Sequence, residues 1–254
     1  MRAIVLARRD IREHDQMISF YTREEGKLDV LARGVKKMTS KNSAHLEPFS
    51  VIDATIERGK EIDHLTKVYP VQYFADIRKR WEKSAAAGIA VHLTNRFLHT
   101  KERDPQLFEL LFSWLTYVER ISTFVPLFLD GYILRFLVHL GFHPTLHECS
   151  VCGTSFEEIA KEEIRSGRKG CLSPAQGGIL CFSCRMTEEV SEGDRVAGIQ
   201  EISTLHLMVQ GDWRGLETVA MDQEEETIVH FFVYHFFLFH TETKVADWMD
   251  LFRI

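Results

Sequence analysis

Residues 49–57 read Phe49-Ser50-Val51-Ile52-Asp53-Ala54-Thr55-Ile56-Glu57, and their alternation decides the front of the fold. Ile52, Ala54 and Ile56 point one way while Asp53, Thr55 and Glu57 point the other, the period of two that a strand with one buried face requires. Working outward, Ala3–Arg8, Gln16–Thr22, Leu28–Arg33 and His64–Val71 are further short runs rich in Val, Ile, Phe, Tyr and Thr. Gly26, Gly34 and Gly59 sit between runs at turn-like positions. Five short strands at the front of the chain predict a small barrel, because closure leaves no unpaired edge. The OB-fold is a common solution of that size.

From Arg78 the period becomes helical. Leu107, Leu110, Leu111, Trp114, Leu115 and Val118 form one apolar stripe, and Asp104-Pro105 supplies the N-cap and first turn. Glu82–His99 and Thr123–Leu140 are further predicted helices, the latter closed by Gly141 and Pro144. Glu224–His240 is apolar nearly all round, which places it at the centre of a bundle. Residues 145–198 break the helical pattern and read as an irregular insertion rich in Cys, Gly, Ser and charge. The expected fold class is therefore α+β and multidomain. Residues 1–77 are expected to form an OB-fold barrel domain, and residues 78–254 a helical bundle domain carrying the insertion.

Composition agrees with a folded chain: of 254 residues, 45% are apolar and 27% charged, which excludes wholesale disorder. The longest apolar candidate for a membrane span, Ile228 to Phe239, is interrupted by two histidines and is too short. Arg8-Arg9 follows an apolar run too brief for a secretory signal, so an intracellular protein is expected. Charge is uneven. Residues 1–80 carry 16 Lys+Arg against 12 Asp+Glu (+4), and residues 81–254 carry 15 against 25 (−10). A basic front on an acidic scaffold fits a nucleic-acid-binding module.

Cys149-Ser-Val-Cys152 and Cys181-Phe-Ser-Cys184 are two Cys-x-x-Cys hooks separated by 28 residues. Such hooks bring four thiolates to tetrahedral positions about one ion, which predicts a zinc site on Cys149, Cys152, Cys181 and Cys184. Four protein ligands leave no open position, so the zinc is structural. Cys171 is left over and reads as a bystander thiol, the alternatives being a substitute ligand or a nucleophile. His45-Leu46-Glu47 matches half of a zinc-deaminase signature, but neither cysteine hook has the preceding Pro of the other half. His230, His235 and His240 step by five and read as polar interruptions of a buried helix. Neither a phosphate-binding G-x-x-x-x-G-K-[ST] loop nor a G-x-S-x-G or H-E-x-x-H motif occurs, which argues against an enzyme.

Arg33-Gly34-Val35-Lys36-Lys37-Met38-Thr39-Ser40-Lys41 holds four cations and no acid directly after a predicted strand. A basic loop leaving a small barrel suits tracking of a nucleic-acid backbone, with Phe20, Tyr21, Phe49, Tyr69 and Tyr73 as candidate base stackers.

Three stretches together resemble the RecO family of bacterial DNA repair and recombination mediators. The first comprises Arg9, Glu13, Asp15, Thr22, Gly26, Lys27, Ala32-Arg33-Gly34-Val35-Lys36-Lys37, Ser40, Leu46 and Pro48-Phe49. The second is Leu134-Arg-Phe-Leu-Val-His-Leu-Gly141-Phe-His-Pro144, running into Cys149-x-x-Cys152-Gly153. The third is Leu172-Ser173-Pro-Ala-Gln-Gly177-Gly178-Ile-Leu-Cys181-x-x-Cys184.

The resemblance implies an N-terminal OB-fold, a helical C-terminal domain and, in many members, a four-cysteine zinc site. It implies binding of single- and double-stranded DNA, strand annealing, and partnership with RecR and the C-terminal tail of single-stranded-DNA-binding protein, opening the way for RecA. It also implies a cytoplasmic, nucleoid-associated location without ATP hydrolysis by the protein itself. Carried over residue by residue, it implies DNA contacts at Arg33, Lys36, Lys37 and Lys41, more weakly at Arg8, Arg9 and Lys27, and zinc at the four hook cysteines. The rival readings are a helical adaptor that recruits repair partners with little DNA binding, a cysteine- or zinc-dependent enzyme, and a sequence-specific regulator.

Overall fold

The alternating runs form five strands: β1 (Arg2–Asp10), β2 (Gln16–Thr22), β3 (Gly26–Ala32), β4 (Val51–Glu57) and β5 (Asp63–Gln72). In a computed structural model of the chain, which describes residues 1–37, 43–187 and 193–252, they close into a barrel in the order β1-β2-β3-β5-β4. β4 pairs back on β1 (Arg2↔Asp53, Ala3↔Ile52), and only β3 with β5 is parallel. That is OB-fold topology. The inward residues Ala3, Val5, Ile18, Phe20, Leu28, Val30, Ile52, Ala54 and Val68 make the barrel core, sealed by Val35 and Leu46. The alternation read in residues 49–57 is thus the pleat of β4, with Asp53 outside and salt-bridged to Arg2 at 2.8 Å.

The chain packs as two units, Met1–Phe124 and Val125–Ile254. The expected boundary after residue 77 falls inside the first of three helices, α1 (Ala75–Lys79), α2 (Trp81–Phe97) and α3 (Pro105–Arg120), through all of which the first compact unit continues. Side chains explain why. The fully buried Tyr21 sends its hydroxyl to the Asp104 carbonyl at 2.7 Å and meets the Phe108 ring. Buried Lys83 places its ammonium on Asp76 Oδ2 (2.5 Å) and the Ile121 carbonyl (2.6 Å), fastening α2 to the end of α3. Gly26 has φ of +73°, and a Cβ there would lie 1.9 Å from the Glu102 carbonyl oxygen, so the β2–β3 turn presses on the α2–α3 connection. Asp104 caps α3 as expected, accepting from the amides of Gln106 and Leu107.

The second unit is built on α4 (Leu127–His139). It starts later than the sequence pattern suggests, because Pro126 has no amide to donate and stands at its N-cap. Two further helices, α7 (Ile199–Gln210) and α9 (Gln223–Thr241), pack against it, with the short α8 (Trp213–Thr218) between them in sequence. Among its described residues, the stretch read as irregular carries regular elements. It contains β6 (Thr145–Cys149), α5 (Phe156–Ser166), β7 (Gly170–Ser173), β8 (Gly178–Leu180), α6 (Phe182–Thr187) and β9 (Arg195–Ala197), with sheet order β6-β8-β7-β9. Strands of three to five residues are too short to show a period. Among the described residues, no helix is long and apolar enough to cross a membrane.

Candidate nucleic-acid interface and metal centre

The outer faces of β1, β2 and β3 carry an open groove of about 420 Å³, lined by Ala7, Arg8, Arg9, Met17, Ser19, Lys27, Asp29 and Asn95. A β-bulge between Val5 and Ala7 shifts the register of β1 against β2 beside this groove. Arg8 is held by Glu47 at 2.6 Å, whereas Arg9 is exposed and has no ion pair among the described residues. Lys27 is engaged elsewhere. Its ammonium donates to the carbonyls of Asn95 (2.7 Å) and Leu98 (3.3 Å), occupying the free acceptors at the C-terminal end of α2. Its charge lines the groove, but its donors serve the helix. The Asn95 side-chain oxygen is buried without a hydrogen-bond partner among the described residues.

The loop after β3 lies against the β1–β2 turn. The Gly34 amide donates to Asp15 Oδ1 at 2.8 Å, and the Lys36 amide to the His14 carbonyl at 3.2 Å. Val35 is buried in the barrel core and anchors the loop from below. Lys36 reaches Asp10 Oδ2 at 2.5 Å and holds that carboxyl below its usual range. Arg33 and Lys37 are exposed and carry no ion pair among the described residues. Thr39, Ser40 and Lys41 lie outside the described residues. Of the candidate stackers, Phe20 and Tyr21 are fully buried and Phe49 nearly so, leaving Tyr69 and Tyr73 exposed.

In the second unit, the parallel pairing of β6 with β8 brings the two cysteine hooks to the same end of one sheet. Cys149 ends β6, Cys152 lies on the following turn, Cys181 follows β8 and Cys184 sits in α6. A Cβ on Gly178 would lie 2.1 Å from the Thr145 carbonyl oxygen, so this glycine lets the two strands close up. The four sulfurs lie within 4.8 Å of one another, with Cys152 and Cys181 at 3.7 Å. Backbone amides point at sulfur, Cys181 N to Cys149 Sγ at 3.3 Å and Cys184 N to Cys181 Sγ at 3.4 Å.

The hydroxyl and amide of Thr154 bring the Cys152 thiol down to about 6, while burial pushes Cys181 and Cys184 up. Four sulfurs this close cannot all ionise without a cation between them, so the donor set fits one metal ion.

Cys171 lies on β7 outside this group. Burial pushes its thiol up to about 11, which leaves it protonated and poorly nucleophilic near neutrality. His45 joins no metal-capable cluster among the described residues, and its neighbour Glu47 is the partner of Arg8.

One constellation escapes the sequence reading. His230 is 2% exposed, with Nδ1 at 3.0 Å from Asp130 Oδ1 and Nε2 at 2.9 Å from Asp247 Oδ1, so it is the hub of a buried polar network. The available signal was Asp130, a lone carboxylate in the otherwise apolar run of α4. His235 instead stacks on Phe231, and His240 meets the Phe236 ring at a tilt.

Comparison with known proteins agrees with both units. A family model described as Recombination protein O N terminal matches residues 1–74, and one described as Recombination protein O C terminal matches residues 78–248. Similar proteins include DNA repair protein RecO of Cutibacterium acnes, 29% identical over 89% of this chain and 87% of that protein. RecO of Desulforamulus reducens is 32% identical over 74% and 69%, and RecO of Rubrobacter xylanophilus 30% identical over 85% of each. With an OB-type barrel in front, a helical unit behind and family matches along nearly the whole length, the chain belongs to the RecO family of DNA repair and recombination proteins.

Proposed function

We propose that this protein is a recombination mediator. It binds single- and double-stranded DNA on the β1–β2–β3 wall and anneals complementary strands. Together with RecR, it helps load RecA onto DNA coated by single-strand-binding protein, whose C-terminal tail it recognises. It acts at the nucleoid in the cytoplasm and performs no covalent chemistry of its own. The observation that carries this reading is the pairing of an open OB-barrel groove with exposed cations, Arg9, Arg33 and Lys37, that have no ion pair among the described residues.

Phosphates from two strands repel each other, and cations placed along a shared path lower that repulsion enough for bases to pair. Arg8 and Lys36 already have carboxylate partners and join the path by exchanging them for phosphate. Lys27 contributes charge to the groove floor.

In the second unit, Cys149, Cys152, Cys181 and Cys184 hold a zinc ion. The metal would supply folding free energy to a small module built on strands of three to five residues. Residues 1–77 serve as the DNA-binding domain by sequence, and residues 78–254 as the helical domain with its zinc-bearing insertion at 145–198.

The test is annealing of two complementary oligonucleotides coated with the cognate single-strand-binding protein, followed by fluorescence without ATP. Acceleration by the zinc-loaded protein is expected. Absence of acceleration, with the protein folded, leaves a helical adaptor and removes the role given to the barrel wall.

A further inference from the structure

In a five-stranded ring ordered β1-β2-β3-β5-β4, the wall centred on β2 and the wall formed by β4 and β5 face opposite directions. The groove lies on the first. The second carries exposed aromatic and cationic side chains that the groove does not use. Val68 and Ala54 are inward partners, so the neighbouring pairs Tyr69↔Asp53 and Lys67↔Thr55 point outward. Tyr69 is 59% exposed and Tyr73 48% exposed. Lys67 is exposed and has no ion pair among the described residues.

Tyr73 is held rigidly. The Arg78 guanidinium is sandwiched between the rings of Phe49 and Tyr73, 4.1 and 4.2 Å from their centroids. It is locked there by hydrogen bonds to the carbonyls of Tyr73 (2.8 Å) and Pro48 (2.9 Å) and to Ser50 Oγ (2.8 Å). On either side of this stack, Phe49 and Phe74 adopt φ of +56° and +55°, a conformation that bulky side chains rarely take. Such strain persists where the surroundings over-determine it and is concentrated at ligand-holding sites. The stack ends on Tyr73, which keeps half of its surface open to solvent.

We infer that Tyr69, flanked by Lys67, and Tyr73, backed by Arg78, form a base-stacking platform for a second single strand of nucleic acid, on the barrel wall opposite the groove. Open π-faces accept any base, and Lys67 beside them matches the phosphate that follows each base. Two strands tethered to one barrel have a high effective concentration, and their free ends pair beyond the protein. The inference rests on the proposed DNA-binding function and adds a second site to it.

Native mass spectrometry of the full zinc-loaded chain with two non-complementary oligonucleotides of different mass tests it. The expected species contains one chain and both strands. Tyr69→Ser and, separately, Tyr73→Leu are expected to weaken uptake of the second strand about fivefold or more. Tyr69→Phe restores it, and binding of the first strand is unchanged. A wild-type chain that takes only one strand overturns the inference and leaves the DNA-binding function standing, whereas a chain that takes none overturns both. A two-strand complex indifferent to both tyrosine variants also overturns it. So does loss of a protein partner from Tyr69→Ser with the two-strand complex intact, which makes this wall a protein-docking face.

Discussion

The indole Nε1 of Trp248 donates a 2.7 Å hydrogen bond to Oδ1 of Asp130, a fully buried carboxylate 118 residues earlier in the chain. The same oxygen meets His230, whose other ring nitrogen meets Asp247, so the final segment is strapped across α4 and α9 by one buried charge network. The Tyr234 hydroxyl adds a bond to the Val245 carbonyl at 2.9 Å. Asp130→Ala removes the shared acceptor and leaves the His230 Nδ1 and the Trp248 Nε1 unpaired, and the expected loss is about 3–5 kcal/mol. Trp248→Phe removes one charge-assisted bond and costs about 1.5–3 kcal/mol. Urea unfolding of the second unit, followed by tyrosine and tryptophan fluorescence, ranks the two.

His230 makes stability depend on pH. Burial works against its charged form, but Asp130 and Asp247 outweigh burial and raise its pKa above the ordinary 6.5. A group raised on folding stabilises fully below its unfolded value and loses that contribution as pH rises through its folded value. The urea midpoint is therefore expected to fall as pH is raised above about 6.5, and His230→Gln to flatten the dependence. Glu226 is also raised, by burial and by Asp130 and Asp222, and so loses stabilisation with rising pH in the same direction; Glu226→Gln separates its share of the slope from that of His230.

Metal content separates the cysteines. The protein is expected to hold about one zinc ion per chain, released by a thiol-reactive mercurial and counted with a chromogenic chelator. Cys149→Ser or Cys184→Ser abolishes that content and unfolds the module, because these two sulfurs are buried. Cys171→Ser leaves it intact. Loss of zinc from Cys171→Ser would instead place that thiol among the ligands.

Salt dependence separates the cations. Four loop cations on single-stranded phosphates give a slope of log K against log salt near about −3. Lys36→Ala with Lys37→Ala is expected to flatten it by roughly one to one and a half, equally for all sequences. Because Asp10 competes for Lys36, Asp10→Asn is expected to strengthen binding. Fluorescence anisotropy across a salt series reads all three.

Lys27 behaves differently from its neighbours. With its ammonium on two helix-terminal carbonyls, Lys27→Met is expected to cost about 1–3 kcal/mol in stability and to flatten the salt slope less than loss of either loop lysine. Gly26→Ala, one residue before, is expected to be the more damaging, since it combines a positive φ with a clash against the Glu102 carbonyl. Thermal unfolding beside the anisotropy series checks both.

Much of this architecture was legible in the residues. The alternation at Ile52, Ala54 and Ile56 and the spacing of the cysteine hooks report local geometry, which periodicity captures. The stripe from Leu107 to Val118 reports which face of α3 is buried. What was hidden depends on partners distant in sequence. Lys27 reads as a surface cation until Asn95 and Leu98 are seen beneath it, and His230 as an interruption until α4 and the final segment bring carboxylates to both ring nitrogens. The sheet around the four cysteines was missed because its strands end before a period can establish itself.

The contacts of the β2–β3 turn bear on how relatives can be recombined. The two family matches meet between residues 74 and 78, at the start of α1, yet Tyr21 holds Asp104, Lys27 holds Asn95, and Gly26 presses on Glu102 across that seam. A chimera spliced at the seam would mate each barrel with a foreign helical hairpin and unsettle all three contacts. One spliced after Phe124 would transplant the barrel with the helices it was shaped against. For this chain the unit of inheritance and the unit of folding have different ends, and domain exchange has to respect the second.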